Sequence, residues 1–425
     1  MQKDERIEFV IDKLIVGIDI AKHKHWARII DCHGRDLRKP FRFENNKEGF
    51  DRLAAEIQLV QQKAGMTGVV VGMEPTGHYW KPLARWLQGL GYTVVMVNPM
   101  WVKRHKEDYD NSPSKSDRKD TGVVAGLVKD GKYMQVMLPT GVYADLRELI
   151  VVRRQQKQAL NSVLNRLETV LDEYFPEFHT VFKGTLGLAA QCVLTECPFP
   201  SYITALNVKE LTDKLKRASN NRVGQKRAQL LRDVAARSIG VTEGLQGARE
   251  RLESTLAEIR FLKDRLRKTE TAMAEKLYQT GLAESLLSIP GVGVATAAGF
   301  LGEIGDPHNY ENWRQIRNLA GLNLKENSSG NRESRTEITK RGRPGLRSLI
   351  YQIAVTAVAC NPQLRALYRY FLARDVNPLT KKQALIAVGL KLVRIMHALM
   401  MRGQRYDPAL ALGEVREFQL EKQAA

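Results

Sequence analysis

Residues 14–21 read LIVGIDIA, an apolar strand pattern with a single acid set inside it. Val16, Ile18 and Ile20 alternate onto one face, while Gly17, Asp19 and Ala21 fall on the other. An isolated carboxylate is costly to bury, so Asp19 needs a cation, a donor cluster or open water at the sheet surface. A strand-end aspartate that holds a turn or a surface lysine satisfies the same pattern.

Working outward, residues 25–31 (HWARIID) and 39–45 (KPFRFEN) read as two further strands, with His33-Gly34 as the turn between them. Residues 47–64 carry Phe50, Leu53, Ile57 and Val60 at helical spacing. The run GVVVGME at 68–74 is continuous and apolar, as in a buried parallel strand. Pro75 cannot donate to a ladder and biases Glu74 toward an extended conformation, so the strand stops on a carboxylate. A helix over 79–90 and a strand in YTVVMVNP (92–99) complete a βββαβαβ order. Ligands of open sheets collect beyond the C-terminal ends of parallel strands. Asp19 and Glu74 are both candidates for that edge.

Residues 111–131 read NSPSKSDRKDTGVVAGLVKDG. Ser114 suits a helix N-cap and Gly131 a helix stop. Asp117 and Asp120, three apart, share one helical face. A capping-box-like start with acids in the first turn accounts for the same residues without chemistry.

Size and charge set the context. A chain of 425 residues suggests two or three domains. Its 66 Lys+Arg against 47 Asp+Glu give a net charge of +19, which points to a polyanionic partner, above all nucleic acid. Cys32, Cys192, Cys197 and Cys360 form no CxxC pair, so a reduced setting without structural zinc is expected. His23 and His25 beside Asp19 read as polar strand-turn residues rather than a metal pair. No apolar run reaches the length of about eighteen residues that a membrane span needs, and the N-terminus MQKDER lacks a signal-peptide core; a cytoplasmic protein is expected.

The second half reads as helical. Residues 145–178 look like a long amphipathic helix whose Leu160, Leu164, Leu167, Leu171 and Tyr174 form a coiled-coil seam. Leu252, Leu256, Ile259, Leu262, Leu266, Met273 and Leu277 supply a matching helix, either dimerising or paired within the chain. Between them, a helical insert at about 179–245 carries the basic run KLKRASNNRVGQKR, suited to a phosphate backbone. In residues 286–306, Gly291 and Gly293 lie between two helical patterns, as in a helix-hairpin-helix whose amides approach a phosphate; a Gly-rich turn between packed helices needs no ligand. A Ser-rich loop then leads to Lys340, Arg341, Arg343 and Arg347, followed by apolar helix and a last helix over 381–401.

Four carboxylates from two strands and a helix can hold two divalent cations, Mg²⁺ or Mn²⁺ by their oxygen-only chemistry. Asp on the first strand, Glu after the fourth and D-x-x-D on a helix behind the fifth is the arrangement a ribonuclease-H-like nuclease requires.

With these residues in view, the sequence resembles the DEDD transposases of the insertion-sequence one-ten family, which includes bridge-RNA-guided recombinases. The resemblance rests on VGIDIAKHKH, VGMEPTGHYWKPLARWL followed by VVMVNP, SPSKSDRKDTGVVAGLV, SIPGVGVATAAGFLGEIGD and LAGLNLKENSSGNRESRTEITKRGRPGLRSLI, in that order. It implies an α/β plus α architecture. A RuvC-like mixed-sheet catalytic domain would span 1–140, a coiled-coil arm with its insert 141–280, a C-terminal transposase domain with a helix-hairpin-helix 281–405, and a tail 406–425. It implies Asp19, Glu74, Asp117 and Asp120 as metal-binding acids and Ser329 as the nucleophile, with Ser328 adjacent and not separated from it by the motif. It further implies DNA ends and target as substrates, a non-coding guide RNA as partner, and composite sites in a homodimer or homotetramer. Thr121 departs from the small Ala more usual after the second Asp. Two other readings use the same residues: a Holliday-junction-type nuclease that uses water, and a non-catalytic nucleic-acid scaffold.

Overall fold

The structure is a computed structural model that describes residues 3–75, 77–110, 117–325 and 337–413, with backbone alone at 107–110 and 117. The chain divides into two compact units, Met1–Leu138 and Pro139–Ala425.

The first unit runs α1 (Lys3–Glu8), β1 (Lys13–Asp19), β2 (Lys24–Ile30), β3 (Asp36–Glu44), α2 (Lys47–Ala64), β4 (Gly68–Met73), α3 (Trp80–Gly89), β5 (Thr93–Met96), α4 (Pro99–Asp110), α5 (Asp117–Lys129) and β6 (Met134–Gln135). Its sheet has the order β3-β2-β1-β4-β5-β6. β1 is antiparallel to β2 and parallel to β4, β4 is parallel to β5, and β6 closes the edge antiparallel to β5. The βββαβαβ order expected from the sequence is present, with β6 added. Two residues of strand are too few to leave a periodic signal. β3 begins at Asp36 rather than at residue 39, because a charged start with Pro40 is tolerated on an edge strand whose pairing is already irregular opposite Ala27 to Ile30.

The two faces of the sheet bury different sets. Leu14, Val16 and Ile18 pack with Phe43, Leu53, Ile57, Leu83 and Leu87 against α2 and α3. Ile15, Val70 and Val95 pack with Val102, Val124, Leu127 and Val128 on the α5 side. Asn46 caps α2 by accepting from the Gly49 amide at 2.8 Å, and Gly65 ends it at φ 62°. His25 corrects its expectation: it is fully buried in the α2 face, with its ring 5.2 Å from that of Phe43 and its Nδ1 accepting from the Ala21 amide at 3.1 Å. Strand alternation opposite a phenylalanine, not the HxH spacing, decides its place.

The second unit opens with α6 (Gly141–Tyr174), continues through α7 (Phe178–Val181), α8 (Leu188–Glu196), α9 (Pro200–Thr204), α10 (Val208–Ala218) and α11 (Gln225–Ala235), and returns along α12 (Leu245–Gln279). Ion pairs Lys276–Asp145, Arg153–Glu270, Arg166–Glu258 and Arg251–Glu173 fall in opposite sequence order along the two long helices, so α6 and α12 pair antiparallel within one chain. Val163, Leu167, Leu171, Leu252 and Ile259 share a core with Phe178, Phe199, Leu215 and Leu231 of the intervening helices.

The remaining elements are α13 (Ala283–Leu287), α14 (Val294–Ile304), α15 (Trp313–Ala320), β7 (Leu324–Lys325), β8 (Glu337–Ile338), α16 (Pro344–Cys360), α17 (Pro362–Ala373) and α18 (Lys381–Arg402). α18 corrects the expectation that no apolar run is long enough to cross a membrane, since its length and composition qualify. Its Val388, Leu392, Val393, Met396 and Met400 are buried in the core built by α13 to α17, which accounts for that apolarity as a core helix.

Candidate active site

Two glycines bring α5 down onto the sheet. A Cβ on Gly17 would lie 2.3 Å from the Thr121 carbonyl oxygen, and one on Gly72 would lie 2.3 Å from Val128 Cγ2. Both positions therefore face α5, and they are cross-strand partners in the parallel β1–β4 register. Strand alternation then puts Asp19 and Glu74, each two residues further on, over the same side at the C-terminal ends of these strands. The last registered pair is Ile18 with Met73, one step before them.

The first turn of α5 lies over this edge. The Arg118 guanidinium stacks 5.3 Å from the ring centre of Trp26, and Trp26 is the antiparallel partner of Asp19. Thr121 is fully buried and returns its hydroxyl to the Arg118 carbonyl at 2.8 Å, a bond that a hydroxyl in a helix makes within its own turn. Asp117 is the first residue of α5, one turn before Asp120; its side chain lies outside the described residues, as do Ser328 and Ser329.

Asp120 is 7% exposed. Its Oδ2 accepts from Lys106 Nζ on α4 at 2.7 Å, while its Oδ1 is buried without a hydrogen-bond partner among the described residues. Glu74 stands close enough to feel both groups. Burial raises its pKa, the Lys106 ammonium opposes that shift, and the Asp120 charge adds to it. Glu74 and Asp120 thus form an acidic pair that shares the Lys106 ammonium. Among the described residues no three acids, histidines or cysteines stand close enough together to hold a metal ion. The donor set still suits a hard divalent cation: every candidate atom is a carboxylate oxygen, and one buried oxygen lacks a partner.

In the second unit, the segment 326–336 that contains Ser328 and Ser329 has its flanks pinned. β7 and β8 pair antiparallel, with Leu324 opposite Ile338 and Lys325 opposite Glu337. Below them the Ala320-Gly321 turn meets Arg341-Gly342 backbone to backbone. The Lys340 amide donates to the Gly321 carbonyl at 3.0 Å, and a Cβ on Gly342 would be 2.4 Å from the Gly321 nitrogen.

The six positions expected to contact nucleic acid divide by what they touch. Lys340 and Arg341 are exposed. Arg347 donates to the carbonyls of Ala320 and Lys340 at 2.9 and 3.3 Å, and Arg343 donates to the Glu303 carbonyl. Burial pushes the Arg343 pKa down, and the Arg147 charge adds to that. Gly291, at φ 92°, packs against α16: its missing Cβ would lie 2.7 Å from Ala357 Cα, and its carbonyl accepts from the Thr356 hydroxyl at 2.9 Å. Helix packing thus accounts for Gly291, whereas Gly293 at the N-cap of α14 has open space where its Cβ would be.

Two features escaped the sequence reading. Lys106 ends the basic run Lys103, Arg104, His105, Lys106, in which nothing marks the residue that pairs with an acid 14 positions later. Glu303, 2% exposed, receives both Arg147 and Arg154 from α6, the latter at 2.5 Å. An acid within the apolar run AAGFLGEIG was the available signal, because such an acid needs paired cations.

A DEDD transposase model of the IS110 family matches residues 16–176, and a second, described as transposase IS116/IS110/IS902 family, matches 283–369. Among relatives, the insertion element IS116 uncharacterized 44.8 kDa protein of Streptomyces clavuligerus is 24% identical over 94% of this chain and 97% of that protein. The transposase for insertion sequence element IS1111A of Coxiella burnetii is 24% identical over 93% and 92%, respectively. A pilin gene-inverting protein of Moraxella lacunata is 22% identical over 93% and 98%. Together the two models cover more than half of the chain, its acids Asp19, Glu74, Asp117 and Asp120 fall within the first, and the chain belongs to the IS110 family of DEDD transposases, enzymes that cut and rejoin DNA.

Proposed function

We propose that this transposase cuts and rejoins DNA at a site made of Asp19, Glu74, Asp117 and Asp120, with Ser329 as nucleophile. The observation that carries the reading is the buried, unpartnered Oδ1 of Asp120 beside Glu74 at the strand edge that Asp19 shares. Mg²⁺ or Mn²⁺ held by the four acids, two ions in the full site, would supply charge to a scissile phosphate. The acids hold that charge in place. Arg118 over Trp26 and the glycine contacts beneath α5 keep Asp120 fixed to the sheet.

Serine is a poor nucleophile at neutral pH and needs activation. In the proposed step Ser329 Oγ bonds to phosphorus, the bond from phosphorus to the 3′ oxygen breaks, and the serine proton ends on the leaving 3′ hydroxyl. The resulting 5′-phosphoserine link conserves the phosphodiester for rejoining. The pilin gene-inverting relative, named for an inversion of DNA, is in keeping with rejoining rather than hydrolysis. A guide RNA encoded by the element would choose the sites, and acids and serine would come from different subunits of a homodimer or homotetramer in the cytoplasm of a bacterium or archaeon. Lys340 and Arg341, exposed beside the serine segment, are the residues of the loop offered to the phosphate backbone.

The test is trapping. Wild-type protein reacted with element-end DNA and then denatured should carry covalently bound DNA, and Ser329→Ala should not. Cleavage without any adduct would favour a water-using nuclease; an adduct retained in Ser329→Ala and lost in Ser328→Ala would move the assignment by one residue.

A further inference from the structure

We propose that Lys106 is the resident counter-ion of the acidic site and releases Asp120 when a divalent cation enters. The inference rests on the metal-binding reading above and extends it to a residue outside the four acids.

Three observations carry it. Asp120 is buried but only half satisfied, with Oδ2 on Lys106 at 2.7 Å and Oδ1 on no partner among the described residues. A carboxylate built solely to pair with that lysine would have both oxygens satisfied, since leaving a buried acceptor without a partner is destabilising. Glu74 also brings a second carboxylate within electrostatic reach of the same ammonium. Finally, Lys106 comes from a helix other than α5, and its side chain is 30% exposed against 10% for that of Asp120, so the ammonium has the readier route to water. A lysine is a compact charge on a flexible stem and can leave without disturbing the fold, unlike a planar guanidinium locked into a fork. Lys106 would then stabilise the empty site, holding Glu74 and Asp120 together until a cation with twice the charge displaces it.

The experiment titrates the full-length protein with Mn²⁺ in the absence of DNA, reads bound ion by electron paramagnetic resonance, and follows thermal unfolding with and without the metal. Lys106→Met should bind Mn²⁺ more tightly than wild type by on the order of tenfold, the effect of removing one nearby positive charge. Without metal it should melt lower than wild type, and saturating Mn²⁺ should close that gap. Lys106→Arg keeps the charge and should bind no more tightly than wild type. Lys106→Gln, which retains a donor toward Oδ2, should also tighten binding and serves if the methionine variant folds poorly. Affinity that is unchanged or weakened in both neutral variants would overturn the proposal. Equal Mn²⁺ binding by wild type and Asp120→Asn would instead overturn the metal-site reading itself, whatever the lysine variants do.

Discussion

Gly17 and Thr121 touch: the β1 glycine lies directly under the carbonyl of the second residue past Lys119 in α5, with 2.3 Å left for a Cβ. The contact sets the depth at which α5 rests on the sheet, and therefore where Asp120 sits relative to Asp19 and Glu74. Gly17→Ala should force the helix outward, at a cost of about 1–3 kcal/mol by overpacking. Denaturant unfolding measures that loss. Strand cleavage should fall further than the folded fraction does, because the acids are displaced in the molecules that remain folded.

Burial holds His25 neutral and pushes its pKa below the usual 6.5. The unfolded chain takes up its proton first as pH falls, so the contribution of His25 to stability is complete above about pH 6.5 and is lost as pH drops toward its depressed folded value. His25→Phe should flatten this acid-side slope. Unfolding free energies of the two proteins across about pH 5 to 7 check it; parallel curves would show that His25 does not titrate between the two states.

Glu303 anchors α14 to α6 through Arg147 and Arg154, while its own carbonyl takes Arg343. Glu303→Gln would leave three guanidiniums around a neutral amide. Arg147 and Arg154 are 29% and 45% exposed and can turn to water, so the cost is that of weakened charge-assisted hydrogen bonds, about 1–3 kcal/mol, and a drop in thermal midpoint is expected. Glu303→Asp, which keeps the charge on a shorter stem, should lose less.

Gly291 separates a packing role from a phosphate-binding role. Its φ of 92° and its contact with the Ala357 backbone predict that Gly291→Ala destabilises the second unit. Among molecules that stay folded, DNA affinity should be unaltered on the packing account. A stable variant with weakened binding would support the helix-hairpin-helix role instead.

How much of this was legible follows from where each signal lives. The alternation in residues 14–21 placed Asp19 opposite the apolar face because a strand reports its two faces with a period of two, and the buried sets on either side of β1 keep that division. Glu74 was legible because Pro75 ends its strand. The apolar stripe Phe50, Leu53, Ile57 and Val60 marks residues 47–64 as a helix, with the bounds the structure shows. Lys106 was not legible: its pairing with Asp120 depends on how α4 packs against α5, and a run of basic residues does not say which one turns inward. The role of Gly291 was equally hidden, because the backbone it meets belongs to a helix 65 residues away. The serine loop was named by resemblance alone, and Ser329 lies outside the described residues.

The central claim is that buried carboxylates at the strand edge hold the cation that DNA cleavage requires, and Asp120→Asn with element-end DNA tests it most directly. Asparagine preserves shape and removes one negative charge. DNA binding, measured across a salt series, should keep its affinity and its steep salt dependence, while Mg²⁺-dependent cleavage should fall by on the order of a hundredfold or more. Cleavage at the wild-type rate in a variant that binds DNA normally would contradict the account.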